Sequence, residues 1–372
     1  MKVASVVRRK ISKPHDRALF ALMNWKASMM MNRLSVSILF LGLLFALDTT
    51  VQVEAALLEG NTRGDVPISS YDGESSFTSF LPEDIALVAP DHLVLNDETY
   101  LYISHGDSVN NSGIFRMNVK DGSYEEMFAS GGGLIRPYGF DIFNGTLYVA
   151  SFMSDQVLMY DEETGDYLGE FAAGNGTEEG LCNGPNQIAI YDGKLYLTTQ
   201  GSMTVDGAVE YKFSSQVVVY DIESKVGSVY TPPPEVLEGS LGYVSMLGVM
   251  IGCNEQSAVE DDCTMYTTDF AGGLRAYKLS TAELIYATGT TIDGSSTGSL
   301  TMTPFGMIVV PIFTNEASGS LLQFNAITGK PMGTSDETAV LAEPTENLSR
   351  PIGVLYRRRS SPCQDSFASI IL

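Results

Sequence analysis

Residues 136–169 read RPYGFDIFNGTLYVASFMSDQVLMYDEETGDYLG. Three short runs rich in apolar and aromatic residues stand out, at Pro137-Tyr138-Gly139-Phe140, 147–151 and 157–161, with turn chemistry at Asn144-Gly145 and Thr164-Gly165-Asp166. Asn-Gly readily takes the positive-φ conformation of a tight hairpin, so neighbouring runs pair antiparallel. The third run recurs along the chain at 68–72, 114–118, 157–161, 217–221, 274–278 and 321–325. Its anchors Tyr71, Met117, Tyr160, Tyr220, Tyr277 and Phe324 are separated by 46, 43, 60, 57 and 47 residues. Several short strands in each period of about 40 to 50 residues mark a β-propeller blade.

The remaining strands of the unit line up. A second run precedes five of the anchors at 100–104, 147–151, 195–199, 265–269 and 307–311. A first run, often opened by Pro, lies at Pro82-Glu83-Asp84-Ile85, Pro137-Tyr138-Gly139-Phe140, Pro185-Asn186-Gln187-Ile188, 243–247, 299–303 and Pro351-Ile352-Gly353-Val354. No window of helical periodicity competes, so the fold is predicted to be all-β. The amino-terminal unit supplies only a third and a fourth strand, within 68–80, while the carboxyl end supplies a first at 351–355 and a second at 367–372. Joined in one blade, the termini close a six-bladed β-propeller and remove two open sheet edges. The run Arg357-Arg358-Arg359 and the tail after it are unlike the repeats.

Charge divides the chain. Of 45 acidic and 22 basic side chains, residues 57–372 hold 42 and 14, a net charge of −28. A body that acidic repels phosphate backbones and argues against nucleic acid as a partner. Residues 34–47 (LSVSILFLGLLFAL) form an uncharged apolar run of 14, shorter than the ~20 residues of a membrane span. Arg33 precedes it, and the small residues of Val53-x-Ala55 before Ala56 suit cleavage. Residues 1–56 therefore read as a signal peptide with a long n-region, a signal anchor being the alternative. Residues 57–372 read as one propeller, secreted, monomeric and without a membrane span. Export agrees with sequons at Asn110, Asn144, Asn175 and Asn347. It agrees too with Cys253 and Cys263, which bracket an acidic loop between two apolar runs where a hairpin brings them together.

The same residues resemble known propellers. Arg136-Pro137-Tyr138-Gly139 with 147–150 (LYVA), 157–161 (VLMYD) and 164–169 (TGDYLG) resembles the NHL and YVTN classes of six-bladed repeat. Gly184-Pro185-Asn186 with 193–198 (GKLYLT) is similar to the gluconolactonase and senescence-marker-protein propellers. The likeness spans about residues 66 to 355 and concerns fold more than activity, since such propellers include lactonases, esterase-like enzymes and binding scaffolds.

In a propeller the innermost strands line the channel, so polar groups near their starts converge: Glu83, Asp84, Tyr138, Asn186, Gln187 and Tyr243. The gluconolactonase resemblance implies a divalent cation held there by a Glu, an Asn and an Asp. Glu83 matches the Glu by blade position, and Asn186 stands in the Pro-Asn context. Residues 242–247 (GYVSML) lack the Asp, for which Asp141 or Asp269 is the substitute. The metal set is then Glu83, Asn186 and Asp269, and its oxygen donors suit calcium, the only cofactor suggested.

Two functions follow. One is a secreted scaffold that binds a protein, glycan or small-molecule ligand through Glu83, Tyr138, Asn186 and Tyr243. The other is a calcium-dependent lactonase or hydrolase centred on the channel. The first is favoured because the metal set is incomplete and titratable groups are sparse. Past the leader only His92 and His105 remain, too few for a three-His zinc site, and His105 reads as a loop residue. Residues 294–298 (GSSTG) fit G-x-S-x-G without its strand-turn-helix context. Gly131-Gly132-Gly133 lacks the lysine and helix of a phosphate loop. Glu255, Glu260, Asp261 and Asp262 read as a solvated loop. The long segment 200–215 interrupts the third repeat, and such insertions gather on the binding face.

Overall fold

Short strands joined by tight turns pair with their sequence neighbours, and six such antiparallel sheets stand around a central channel. The computed structural model describes residues 55–71, 77–177, 180–292, 294–314, 318–333, 339–345 and 347–358. From the channel outwards, the closing blade lays down Pro351–Arg358, Ala55–Asn61, Ile68–Tyr71 and Phe77–Ser79. The second is Leu93–Asn96, Tyr100–His105, Gly113–Asn118 and Tyr124–Ser130. The third is Pro137–Phe143, Thr146–Ser151, Gln156–Asp161 and Tyr167–Ala173. The fourth is Pro185–Tyr191, Lys194–Thr199, Gln216–Asp221 and Gly227–Thr231, with an extra hairpin, Ser202–Val205 and Ala208–Tyr211, between its second and third strands. The fifth is Met246–Gly252, Thr264–Asp269, Gly273–Lys278 and Leu284–Gly289. In the sixth, Ser296–Thr297 and Thr301–Met302 both pair with Met307–Phe313, followed by Gly319–Asn325 and Val340–Thr345.

The core is a set of slabs between blades, a consequence of period-two strands presenting apolar residues to both sides. Leu101 and Ile103 pack with Leu58 and Ile68 of the closing blade, while Tyr102 between them packs with Phe140 and Val149 of the third. Tyr266 and Leu274 meet Ile308 and Phe324, and Val309 and Leu321 meet Leu57 and Val354 to finish the ring. Each fully buried side chain of this kind stabilises by about 1.5 to 3 kcal/mol. Cys253 and Cys263 are bonded, with Cα atoms 4.3 Å apart, beyond the Gly252–Thr264 pair of the fifth blade. No helix among the described residues is long and apolar enough to cross a membrane.

Two expectations change. The first strand expected at Pro82-Glu83-Asp84-Ile85 is a turn: the Ile85 amide donates to Pro82 O, and Ile85 and Leu87 drop into a slab while Glu83 stays exposed. The inner strand begins only after Pro90. The second strand of the closing blade is Ala55–Asn61, not residues 367–372, which lie outside the described residues. Leu57 and Leu58 explain the choice, since their alternation fills the slabs on both sides. The apolar run 34–47 also lies outside the described residues.

Candidate ligand site at the channel mouth

One irregularity shared by the blades shapes the channel. In the third blade the pairing jumps from Pro137–Ser151 to Phe140–Val149, in the fourth from Pro185–Thr199 to Ile188–Leu197, and in the fifth from Met246–Asp269 to Val249–Thr267. The residues released, Tyr138-Gly139, Asn186-Gln187 and Leu247-Gly248, are re-aimed towards the axis, as a bulge does. Pro90-Asp91-His92 and Pro351-Ile352-Gly353 stand at the same places in the second and closing blades. A hydroxyl on the second strand receives the freed amide: His92 N donates to Ser104 Oγ (2.9 Å), Gln187 N to Thr198 Oγ1 (3.0 Å) and Gly248 N to Thr268 Oγ1 (3.0 Å). The hydroxyls then donate to the next blade, at Tyr138 O, Leu247 O and Gly298 O, and so lock neighbours together. Convergence leaves little room. At Gly353 a Cβ would stand 1.7 Å from Asp91 O, and at Gly139 2.4 Å from Gln187 Cα.

Gln187 takes the place that Gly139, Gly248 and Gly353 hold in three other blades, and it crosses the channel. Its Nε2 lies 2.8 Å from His92 Nδ1, and its Oε1 accepts from Val249 N (3.0 Å) and Ser299 Oγ (2.8 Å). Four blades meet at this side chain. Burial pushes the His92 pKa down to about 4, so the ring is neutral at physiological pH.

Above Gln187 lies a cavity of about 660 Å³. Its base is formed by Asp91, Tyr138, Asn186, Leu247 and Ile352, the re-aimed residues of five blades. Residues just ahead of the inner strands form the rim, Arg136 and Arg350 among them, and the inserted hairpin adds Val209 and Tyr211. That hairpin is fixed by Asp155, whose carboxylate accepts from Gly184 N (2.8 Å) and Thr204 N (3.1 Å). Burial pushes the Asp91 carboxyl up to about 7 against the opposing pull of Arg136 and Arg350. Burial also raises the Tyr138 phenol.

The sequence-predicted residues separate. Tyr138, Asn186 and Tyr243 come together in this cavity, whereas Glu83 lies on its exposed turn elsewhere. Asp269 is buried and engaged: it accepts from Ser245 N (2.9 Å) and Ala271 N (3.0 Å) and pairs with Arg275 at 3.1 Å. It therefore holds the rim segment carrying Tyr243 and Ser245 and offers no free oxygen beside Asn186. Asp141 faces away, in the lower channel, accepting from Ile190 N. Glu83, Asn186 and Asp269 are therefore not brought together around one cation. His105 ends the second strand of its blade, buried, with Nε2 2.9 Å from Glu126 O. Asp91, Arg136 and Arg350 were missed as site residues. The spacing held a signal for the first: Pro137 and Pro185 stand nine residues ahead of their second strands, and Pro90 ten, but Pro82 eighteen.

No protein-family model matches the sequence, and no curated protein matches it. Among solved structures, a chain of the nidogen/laminin complex aligns over 81% of this chain and 98% of its own, with a TM-score of 0.56 and 13% identity. A putative 6-phosphogluconolactonase from Bacteroides fragilis aligns over 83% of this chain and 99% of its own, with a TM-score of 0.48 and 9% identity. The protein is a six-bladed β-propeller. That fold accommodates a binding scaffold or a lactonase-like enzyme.

Proposed function

We propose that the protein is an exported binding propeller that seats a ligand, a protein segment or a glycan, in the cavity at its channel mouth. The observation that carries this reading is the cavity: about 660 Å³, open to the outside, walled by aromatic rings and furnished with Asn186, Gln200 and Ser245 as hydrogen-bonding groups. Tyr211 and Tyr243 stand 66% and 45% exposed at its rim, amphipathic rings that bury large area with little loss of rotamer freedom. Neither histidine is free for acid-base chemistry, because the His92 ring is bonded to Gln187 and the His105 ring to a backbone carbonyl. Export rests on the apolar run 34–47, the cleavage pattern before Ala56, the Cys253–Cys263 bond and the exposure of all four sequon asparagines. The test probes glycan and peptide arrays with the wild type and with Tyr211→Ala/Tyr243→Ala. Binding that disappears in the double variant supports the reading, whereas calcium-dependent turnover of a lactone panel overturns it.

A further inference from the structure

We propose that the channel-mouth cavity is a carboxylate site, in which Arg136 and Arg350 grip the anionic end of a monocarboxylic acid while the aromatic wall holds its apolar body, and Asp91 competes with that anion. The inference rests on the cavity being the ligand site. Its first support is a repeated device. Arg136-Pro137-Tyr138-Gly139 and Arg350-Pro351-Ile352-Gly353 place an arginine at the same point of the third and closing blades, on either side of Ala89-Pro90-Asp91. Both arginines adopt φ near the left-handed helix, 54° and 55°, a conformation L side chains take only under constraint. Ala89 and Gly184 make the same left-handed turn ahead of the second and fourth inner strands, and at this point of the third and closing blades the side chain is an arginine that lines the cavity.

The second support is that neither arginine is held in an ion pair among the described residues, although acidic groups outnumber basic ones by 42 to 14 in residues 57–372. Their guanidinium carbons lie instead 5.4 Å from the Tyr138 ring and 5.3 Å from the Phe313 ring. Burial, then Arg63 and Arg136, hold the Arg350 pKa below its usual value, a crowding of positive charge that a bound anion relieves. Arg-carboxylate contacts are charge-assisted and often bidentate, so two forks aimed at one cavity favour that anion.

The third support is the charge balance. Arg136 and Arg350 leave a net positive charge whether Asp91 is protonated or ionised, so the cavity favours an anion in either state, and more strongly in the first. Phe152, Phe213 and Phe270 give the rest of the cavity an apolar wall. The groups facing Asp91 are Arg136 and Tyr138 from the third blade and Arg350 from the closing blade, with Arg63 behind Arg350. Tyr211 and Tyr243 complete the ring of titratable groups, while the neighbouring His92 is turned to Gln187. A protonated Asp91 leaves both arginines to the ligand; an ionised one opposes it.

Calorimetry with benzoate, neutral benzamide and inorganic phosphate, at pH 6 and pH 8, tests this on the purified protein. Benzoate is expected to bind about ten-fold or more tighter than benzamide, and several-fold tighter at pH 6 than at pH 8. Arg136→Gln and Arg350→Gln should each weaken benzoate about ten-fold while leaving benzamide unchanged, which also reports an intact fold, and Arg136→Lys should recover part of the loss. Asp91→Asn should remove the difference between the two pH values. Equal binding of benzamide and benzoate overturns the carboxylate assignment but leaves the binding function standing. Phosphate binding tighter than benzoate overturns it in favour of another anion. No binding of any probe overturns it outright, and the array experiment then decides the binding function separately.

Discussion

The two ends of the channel share five inner strands, the lower end adding Leu300 and Thr301 of the sixth blade, and they differ in what those strands present. Above Gln187 the cavity is lined by residues released from pairing, and they include Asp91, Arg136, Tyr138 and Asn186. Below it lies a space of about 310 Å³ lined largely by Leu93, Leu95, Phe140, Ile188, Val249 and Val354, residues within the paired strands. A paired strand fixes where each side chain points and fills the space with packing. A strand whose pairing is interrupted at its start can point a polar or charged group at the axis without disturbing the slabs. The site thus lies where the fold makes the fewest demands on sequence, which is why residues that differ from blade to blade gather there.

The sharpest way to break the division is to remove the side chain that makes it. Gln187→Ala strips hydrogen-bond partners from Val249 N, Ser299 Oγ and the His92 ring at once, all in buried surroundings. Each bare buried group costs about 1 to 3 kcal/mol, so a loss of about 3 to 5 kcal/mol in urea unfolding is expected after partial relaxation. A loss below 1 kcal/mol would mean that Gln187 spans the channel without holding it together.

How far each end was legible in the sequence follows the same division. The second and third strands were readable because β-branched runs ending in Tyr or Phe recur, and Tyr160, Tyr220 and Phe324 do anchor slabs. The inner strand of the second blade was not, because Pro82-Glu83 mimics the Pro-opened pattern while the true start, Pro90-Asp91-His92, lacks the glycine found after Pro137 and Pro351. The second strand of the closing blade was hidden for another reason. Ala55–Asn61 adjoins the leader, and its Glu59 interrupts an apolar pattern with a fully buried carboxylate. Tyr138 and Asn186 were found by position in the repeat. Arg136 stands in the repeat motif Arg136-Pro137-Tyr138-Gly139, but its place in the site is visible only in the folded ring, where it faces Asp91 together with Arg350.

The carboxyl at the upper end should respond to pH. Asp91 has a folded pKa of about 7, above its unfolded value, so it favours the folded state fully only when protonated in both states. That contribution is lost as pH rises from the unfolded pKa through about 7. Asparagine does not titrate, so Asp91→Asn should match the wild type near pH 4 and exceed it by about 2 to 4 kcal/mol at pH 8. Burial raises the Glu59 pKa too, with the same sign, but Glu59 is present in both proteins and cancels from the difference. Unfolding curves at the two pH values give the answer. A variant less stable than the wild type at pH 8 would mean that the carboxylate is held by the arginines rather than opposed by burial.

At the lower end the corresponding substitution should act with the opposite sign. Asp141 also has a raised pKa, about 6, set by burial and partly offset by the amides it accepts from, Ile190 and Ile142. Its bond to Ile190 N, at 2.7 Å, ties the third blade to the fourth. Near pH 4 the carboxyl is protonated in the folded chain and only partly ionised in the unfolded one, so it makes that bond with little linkage penalty. Asp141→Ala should therefore destabilise by about 1 to 2 kcal/mol there, the net worth of the bond plus a bare amide. As pH rises from the unfolded pKa through about 6 the wild type loses stability while the alanine variant does not, so the deficit should narrow and vanish by pH 8. Urea midpoints at pH 4 and pH 8 read both terms. A deficit that widened with pH would require an Asp141 pKa below its unfolded value, and an Asp141→Ala protein as stable as the wild type at pH 4 would take the inter-blade bond out of the account and leave the lower end held by packing alone.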